Sequence, residues 1–325
     1  MVSKLSILCF TIVFEMIFVA TFGGAYRYSQ SPAHASGSVT PLTSSVTVNP
    51  SGFSSIFMAD SVTRYWNITP SIRWHIYVNP GPGKDASLCV AEWGDYVFAV
   101  GEHNITSTDT EFMVYKLLKS TGDVVEAWRL NPSTMLDILY GCVVTGNKLY
   151  VVGTQYVNSY GYVWSMLALN LMNLSDYISK QDHWYGSEWA LSVTSDGNYL
   201  FIVGGADPSN MGHLAWDMQK RNLDLTLVKH VWHYYYQGST IRGAYAADVK
   251  INPVTGNIWV LGLENDTSLA SIRIYDNSLN VLKYFGLPAT PVAGPIAWFY
   301  LSITFDNLGN AYIGVGNKIL VYDKN

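Results

Sequence analysis

The sequence predicts an all-β fold, a five-bladed β-propeller of four-stranded antiparallel blades, and three observations carry that prediction. First, a glycine followed by Asn or Asp recurs at Gly94-Asp95, Gly146-Asn147, Gly197-Asn198, Gly256-Asn257 and Gly309-Asn310, at spacings of 52, 51, 59 and 53 residues. A fixed period of roughly 50 residues marks a propeller or solenoid rather than a single-core domain. Second, each turn is flanked by β-branched and aromatic runs such as Leu149-Tyr-Val-Val152 and Tyr199-Leu-Phe-Ile-Val203. This is a hairpin pattern, because Gly and Asn tolerate positive φ. Third, a second hairpin follows within each unit. In the first it reads Phe112-Met-Val-Tyr-Lys-Leu-Leu118, a turn at Thr121-Gly122, then Val124-Val-Glu-Ala-Trp128. Four strands, A to D, in about 50 residues make one propeller blade.

The chain begins with a targeting segment. Lys4 precedes an apolar run from Leu5 to Phe22, interrupted by Glu15. A carboxylate in mid-helix costs roughly 2.5–3.5 kcal/mol on insertion scales, which favours a cleaved signal peptide over residues 1–25, with small residues at Gly23-Gly-Ala25 or Ala33-His-Ala35 as cleavage sites. A signal-anchor is the alternative, and residues 5–22 are then the only membrane contact. Either way the protein is expected outside the cytoplasm, secreted or membrane-anchored. Residues 26–52 are Ser/Thr/Pro-rich and aperiodic, a linker. The propeller domain is placed at 53–325.

The two ends are expected to meet. The fifth unit stops after its C strand, Ile319-Leu-Val-Tyr322, while Arg73-Trp-His-Ile-Tyr-Val-Asn79 looks like the D strand Ala127-Trp-Arg-Leu-Asn131. Residues 71–78 are therefore expected to complete the last blade and remove an open edge.

Charged residues make up 13% of the chain, about half the usual share, and Tyr (23) and Trp (11) are abundant. This composition suits sheets stacked face to face. A net charge of −5 gives no footprint for nucleic acid. No phosphate loop, nucleophile elbow or His-Glu-x-x-His motif occurs, and no cofactor or metal is implied.

Cys89 and Cys142 read as the same position of strand A, each followed by valine, with Ser192, Asp248 and Ser302 in the other units. Equivalent sites on neighbouring inner strands are expected roughly 8–9 Å apart, beyond the ~7 Å Cα limit for a disulfide, so two buried free thiols are expected.

Strand order puts the tight A–B and C–D turns on one face and the longer B–C and D–A loops on the other. Binding residues are expected on the loop face, over the central channel. Three groups there stand out. Acids recur just before strand A, at Asp85, Asp137 and Glu188. They could serve as glycosidase-type carboxylates, but recurrence with the repeat favours loop caps. Aromatics cluster at D–A junctions, including Trp184, Tyr185 and the run Tyr234, Tyr235, Tyr236. Alternation sends at least one of that run to solvent, which makes it the best contact patch. Tryptophans of strand D (Trp74, Trp128, Trp232) are expected to pack between blades. His230 and His233, three apart on a strand, face opposite sides and cannot share a metal. Asn67, Asn104, Asn173 and Asn265 are glycosylation acceptors by sequence, with Asn104 and Asn265 assigned to B–C loops.

At Gly146-Asn-Lys-Leu-Tyr-Val-Val-Gly153 and Gly197-Asn-Tyr-Leu-Phe-Ile-Val-Gly204, the chain resembles the β-propeller repeat families of exported proteins. Phe112-Met-Val-Tyr-Lys-Leu117 with Gly122 is similar to the second half of their repeat, while Ser271-Ile-Arg-Ile-Tyr-Asp276 departs from it by losing the Lys-Leu pair. The resemblance implies the architecture and leaves activity open. The leading expectation is a non-enzymatic binder of glycans or cell-surface proteins. The alternatives are a polysaccharide-active enzyme using Asp137 and Glu188, and a structural component of an envelope or particle.

Overall fold

The computed structural model describes residues 85–184, 186–207, 213–237, 240–264, 269–288, 301–316 and 318–323. The targeting segment, the linker and the closing strand at 71–78 lie outside the described residues, as do Tyr185, Asn67, Asn265 and Trp74.

Five antiparallel sheets follow one another along the chain as the blades of a propeller. Blade 1 holds β1 (Ala86–Trp93), β2 (Tyr96–Asn104), β3 (Thr110–Leu118) and β4 (Val124–Leu130). Blade 2 holds β5 (Ile138–Thr145), β6 (Lys148–Val157), β7 (Gly161–Asn170) and β8 (Asn173–Asp182). Blade 3 holds β9 (Trp189–Ser195), β10 (Tyr199–Ala206), β11 (Ala215–Asn222) and β12 (Leu227–His233). A short hairpin, β13 (Tyr235–Gln237) with β14 (Thr240–Arg242), was not foreseen and forms the D–A connection to blade 4. Blade 4 holds β15 (Ala244–Ile251), β16 (Ile258–Glu264), β17 (Leu269–Tyr275) and β18 (Val281–Gly286). Blade 5 holds three described strands, β19 (Leu301–Phe305), β20 (Ala311–Val315) and β21 (Lys318–Tyr322). The inner strands β1, β5, β9, β15 and β19 pack side by side in that order.

The turn glycines do what the sequence asks of them. Gly94 and Gly146 open two-residue hairpins with φ of +55° and +60°. Their partners Asp95 and Asn147 stay at negative φ, so glycine alone carries the left-handed residue, as in a turn with glycine first. Gly256 and Gly309 sit in longer loops, between Ile251 and Ile258 and between Phe305 and Ala311.

The glycine that ends strand B has a different task. A Cβ on Gly101, Gly153 or Gly204 would lie 1.9 Å from the carbonyl oxygen of Ala86, Ile138 or Trp189, and on Gly262 2.3 Å from that of Tyr245. Only a residue without a side chain admits so close an inner strand. Just beyond each contact the inner strand bulges, at Leu88, Tyr140, Leu191 and Ala247.

The cysteines form a disulfide, Cys89–Cys142, with Cα atoms 5.8 Å apart, which corrects the expectation of free thiols. The two positions are not equivalent. Cys89 pairs with the residue before Gly101, whereas in blade 2 that register belongs to Gly141, and Cys142 lies one residue further along. A one-residue offset reverses the direction of a strand side chain. Cys89 therefore faces forward to blade 2 and Cys142 faces back to blade 1. The forward-facing register continues round the ring. Gly141 abuts Ser192, the Ser192 hydroxyl donates to Asp248 at 2.7 Å, and Asp248 accepts the Ile303 N–H at 2.9 Å.

Two lysines of C strands fasten blades as well. Lys116 donates to the Leu171 carbonyl (2.7 Å) and Lys220 to that of Asn277 (2.8 Å), each in the C–D turn of the next blade. Each ammonium also sits over a tyrosine ring, Tyr96 at 4.4 Å and Tyr199 at 3.8 Å.

Two outcomes are expected from this frame. Gly153→Ala should lose at least about 2 kcal/mol in urea unfolding, because a backbone carbonyl must move to admit the methyl. Reduction, or the Cys89→Ser/Cys142→Ser pair, opens a 53-residue loop and should cost about 4 kcal/mol by loop-closure entropy, read from denaturation with and without reductant.

Candidate functional site

The acids before strand A point into loop backbone. Asp137 is fully buried. Its carboxylate accepts the Ser133 N–H (3.0 Å), the Ser133 hydroxyl (2.9 Å) and the Tyr156 N–H (3.1 Å). Glu188, also buried, accepts the Trp184 N–H at 3.0 Å. Asp85 accepts the Asn104 N–H at 3.1 Å, the counterpart of the Tyr156 bond one blade on. In blades 2 and 3 the carboxylate thus ties the D–A loop to strand A by gripping the amide four residues upstream. Burial pushes Asp137 up to about 6, while the bonds from Ser133 and Tyr156 pull it back and the Asp109 charge adds to the rise.

The axial end of the loop face is apolar. Tyr140, Trp189, Leu191 and Tyr245, all on inner strands, join one hydrophobic cluster. Glu102 lies buried nearby. Burial pushes its carboxyl up to about 7, the charge of Asp85 adds to this, and a hydrogen bond with Thr110 opposes it. On the same strand His103 bonds Glu111 at 2.7 Å.

The aromatics are where solvent meets the loop face. In the Tyr234–Tyr236 run, the Tyr234 hydroxyl donates to Asp207, Tyr235 packs against the apolar cluster between blades 3 and 4, and Tyr236 is 56% exposed. Trp184 stacks on His230, with ring centroids 4.5 Å apart, and Trp232 tilts against His230 at 4.9 Å. Trp128 is buried between blades as expected, but Trp232 is 41% exposed, a correction to the reading of strand-D tryptophans as packed. It occupies the end of β12 on the side facing blade 2, where the aromatic Trp184 loop rather than a sheet stands against it. Tyr160, 54% exposed at the tip of its B–C loop, stacks on His183 at 4.1 Å. Tyr160 was not singled out in the sequence, whereas His183 belongs to the His183-Trp184-Tyr185 cluster expected at a D–A junction. The signal was the tyrosine-rich loop from Tyr156 to Tyr162, where those two rings also meet edge to face at 5.4 Å.

The two histidines of β12 do face opposite sides. His230 bonds the buried Asp217 at 2.7 Å. His233 lies toward Arg273 of blade 4, and burial with that charge pushes it down to about 4. Burial raises the Asp217 carboxyl and the His230 bond pulls it back. Asp182 and Arg221 pair across the same blade 2–3 junction. Among the described residues, no group of three or more His, Cys, Asp and Glu could hold a metal ion, and no helix is long and apolar enough to cross a membrane. Asn104 ends β2 rather than lying in the loop beyond it. Asn173 starts β8 at an exposed C–D turn, its Oδ1 accepting the Ser175 N–H at 3.1 Å.

No family model matches the chain, and no curated protein matches it. Among solved structures it is similar to hydrazine synthase of Kuenenia stuttgartiensis (14% identity, TM-score 0.42, 68% of this chain and 52% of that one). It is also similar to a periplasmic gluconolactonase of Pseudomonas aeruginosa (17%, 0.43, 70% and 68%) and to Raptor of Chaetomium thermophilum (14%, 0.42, 74% and 19%). The chain thus spans about half the length of the first of these and about a fifth of the third. The resemblance drawn from the repeat holds for the propeller architecture, while membership of an exported repeat family has no family-model match behind it.

The buried acid gives a pH prediction. A carboxyl raised from its ordinary value of 4.5 to about 7 binds protons in the native state that the unfolded chain has released. Its contribution to stability is present below pH 4.5 and is lost as pH rises through 7. Glu102→Gln should therefore gain stability relative to the parent chain as pH rises from 5 to 8, measured by thermal or urea unfolding across that range. An unchanging difference would refute it.

Proposed function

We propose that the protein is an extracytoplasmic, non-enzymatic β-propeller that binds glycans through its B–C and D–A loop face. The observation that carries this reading is the row of aromatic pairs at the edge of blades 2 and 3, Tyr160 stacked on His183 and Trp184 stacked on His230 beside Trp232, with Tyr160 and Trp232 exposed to solvent. Aromatic platforms offer apolar faces to sugar rings and hold their own orientation through stacking. The acids that an enzyme would need are engaged by loop amides. That engagement supports binding over hydrolysis, which calls for carboxylates free to reach a glycosidic bond. A disulfide between inner strands fits an oxidising compartment, and the apolar N-terminal run fits export.

Binding of the full chain to a glycan array tests this. The parent should show selective, saturable binding, and Trp232→Ala and Tyr160→Ala should each weaken it at least about tenfold, the effect of losing a central aromatic contact. Equal array profiles for all three proteins would remove the aromatic row from the reading. Polysaccharide turnover abolished by Asp137→Asn would replace it with the enzymatic one.

A further inference from the structure

We infer that the junction between blades 1 and 2 holds a separate binding cleft for one neutral pyranose ring. The inference rests on the glycan-binding reading and gives it a second, more defined site.

The cleft has a volume of about 170 Å³, close to the ~150 Å³ cavities that accept a single six-membered ring. Phe112, Leu130 and Pro132 of blade 1 form one wall. Blade 2 forms the other with Gln155, Ser165, Ser179 and Gln181. Strand pairing puts these side chains on one face, because Ser165 lies opposite Gln181 and Leu167 opposite Ser179. Lys180 also borders the cleft, but it lies opposite Met166, so alternation turns its ammonium to the other face, toward Asp224 of blade 3. The polar set is therefore uncharged. Within it the buried Ser165 hydroxyl donates to Gln155 Oε1 at 2.7 Å. This bond fixes the Gln155 amide and leaves its Nε2 hydrogens for a ligand. An apolar wall facing fixed, neutral donors and acceptors is the chemistry of a sugar ring, with one C–H face and a rim of hydroxyls.

The neighbouring junction shows why the space is open. The same registers in blade 3 hold Asp217 for Ser165, His230 for Ser179 and Trp232 for Gln181. On the facing blade, Trp164 stands for Phe112 and Trp184 for Pro132, each of the latter pair two residues past its D strand. There Trp184 stacks on His230 and Trp232 tilts against it, so large rings stand at the registers where the first junction has small side chains. At the third junction Arg273, Glu264 and Tyr284 are joined by an ion pair and a hydrogen bond. Small side chains clear the space between blades 1 and 2, on a backbone that is otherwise the same.

The test uses the full chain and the methyl α- and β-pyranosides of glucose, galactose and mannose, with saturation-transfer NMR and titration calorimetry. At least one glycoside should bind saturably. Ser179→Trp, which fills the cleft from an exposed strand, should weaken binding at least about tenfold with unchanged melting temperature, and Gln155→Ala should weaken it too. Trp232→Ala, at the aromatic row, should leave it unchanged. Binding that survives Ser179→Trp but is lost in Trp232→Ala would overturn the cleft and keep the loop-face reading. Binding of array glycans with none of the pyranosides bound would also overturn the cleft alone. Absence of binding in both assays would overturn both.

Discussion

The propeller depends on one local constraint, the contact between a strand-B glycine and a carbonyl of the inner strand. In blades 1 to 4 that oxygen stands where any other residue would place its Cβ. The inner strand then bulges, and the residue after the bulge is turned toward the next blade. That position carries the lateral links: a covalent one at Cys89, a close backbone approach at Gly141, and a hydroxyl–carboxylate–amide relay from Ser192 through Asp248 to Ile303. Among the described residues blade 5 shows no such contact: Leu301–Phe305 pairs in unbroken register, and a Cβ on Gly314 would meet the Ser302 hydroxyl at 2.8 Å and the Ser302 carbonyl at 3.8 Å. Blade 4 holds blade 5 instead through Asp248 and through Asn252, whose amide donates to the Gly309 carbonyl at 2.9 Å. The glycine has a second use in blades 3 and 4, where the indoles of Trp164 and Trp216 rest against Gly204 and Gly262.

Because the frame repeats, each junction solves the same packing problem with different side chains. Junctions 1–2 and 3–4 use a buried lysine, satisfied by a turn carbonyl and an aromatic face, which meets the need of a desolvated cation for partners. Junction 2–3 has Ala168 at that register and relies on Trp164, whose indole N–H reaches the Gly205 carbonyl at 3.1 Å, and on the Asp182–Arg221 pair. Chemistry on the loop face therefore varies from junction to junction with no change of backbone. This is the condition under which one propeller can hold an exposed aromatic row at one junction and an open polar cleft at the next.

Much of this was legible in the sequence. The turn glycines marked the blades, and the recurrence of Asp85, Asp137 and Glu188 marked them as loop caps, while Lys116 was read only as part of the repeat and not as a clamp between blades. What escaped was parity. Cys89 stands five residues before Gly94 and Cys142 four before Gly146. That difference of one decides whether two side chains face the same way or face each other, and alignment on the shared Cys-Val pair hid it. Bulges likewise shift parity without any residue signature except the glycine opposite. The exposure of Trp232 was hidden for a related reason. Its direction follows from the β11–β12 register, and its surroundings come from Trp184, in a loop of another blade.

The outer strands carry a device against pairing edge to edge. Each described D strand is a sheet edge among the described residues and carries a pair of exposed apolar residues, Val124-Val125, Leu227-Val228 and Val281-Leu282 at the start of β4, β12 and β18 and Tyr177-Ile178 in the middle of β8. In a chain with few charges, such edges invite pairing between molecules. The strands do not present a straight ladder there. Pairing skips a residue at Val125, Val228 and Leu282, and in β8 it skips three between Asn173 and Tyr177. A bulge twists the edge and breaks the spacing of its N–H and C=O groups, so a second sheet cannot dock in register. A lattice built edge to edge, the simplest structural role for such a propeller, works against this geometry.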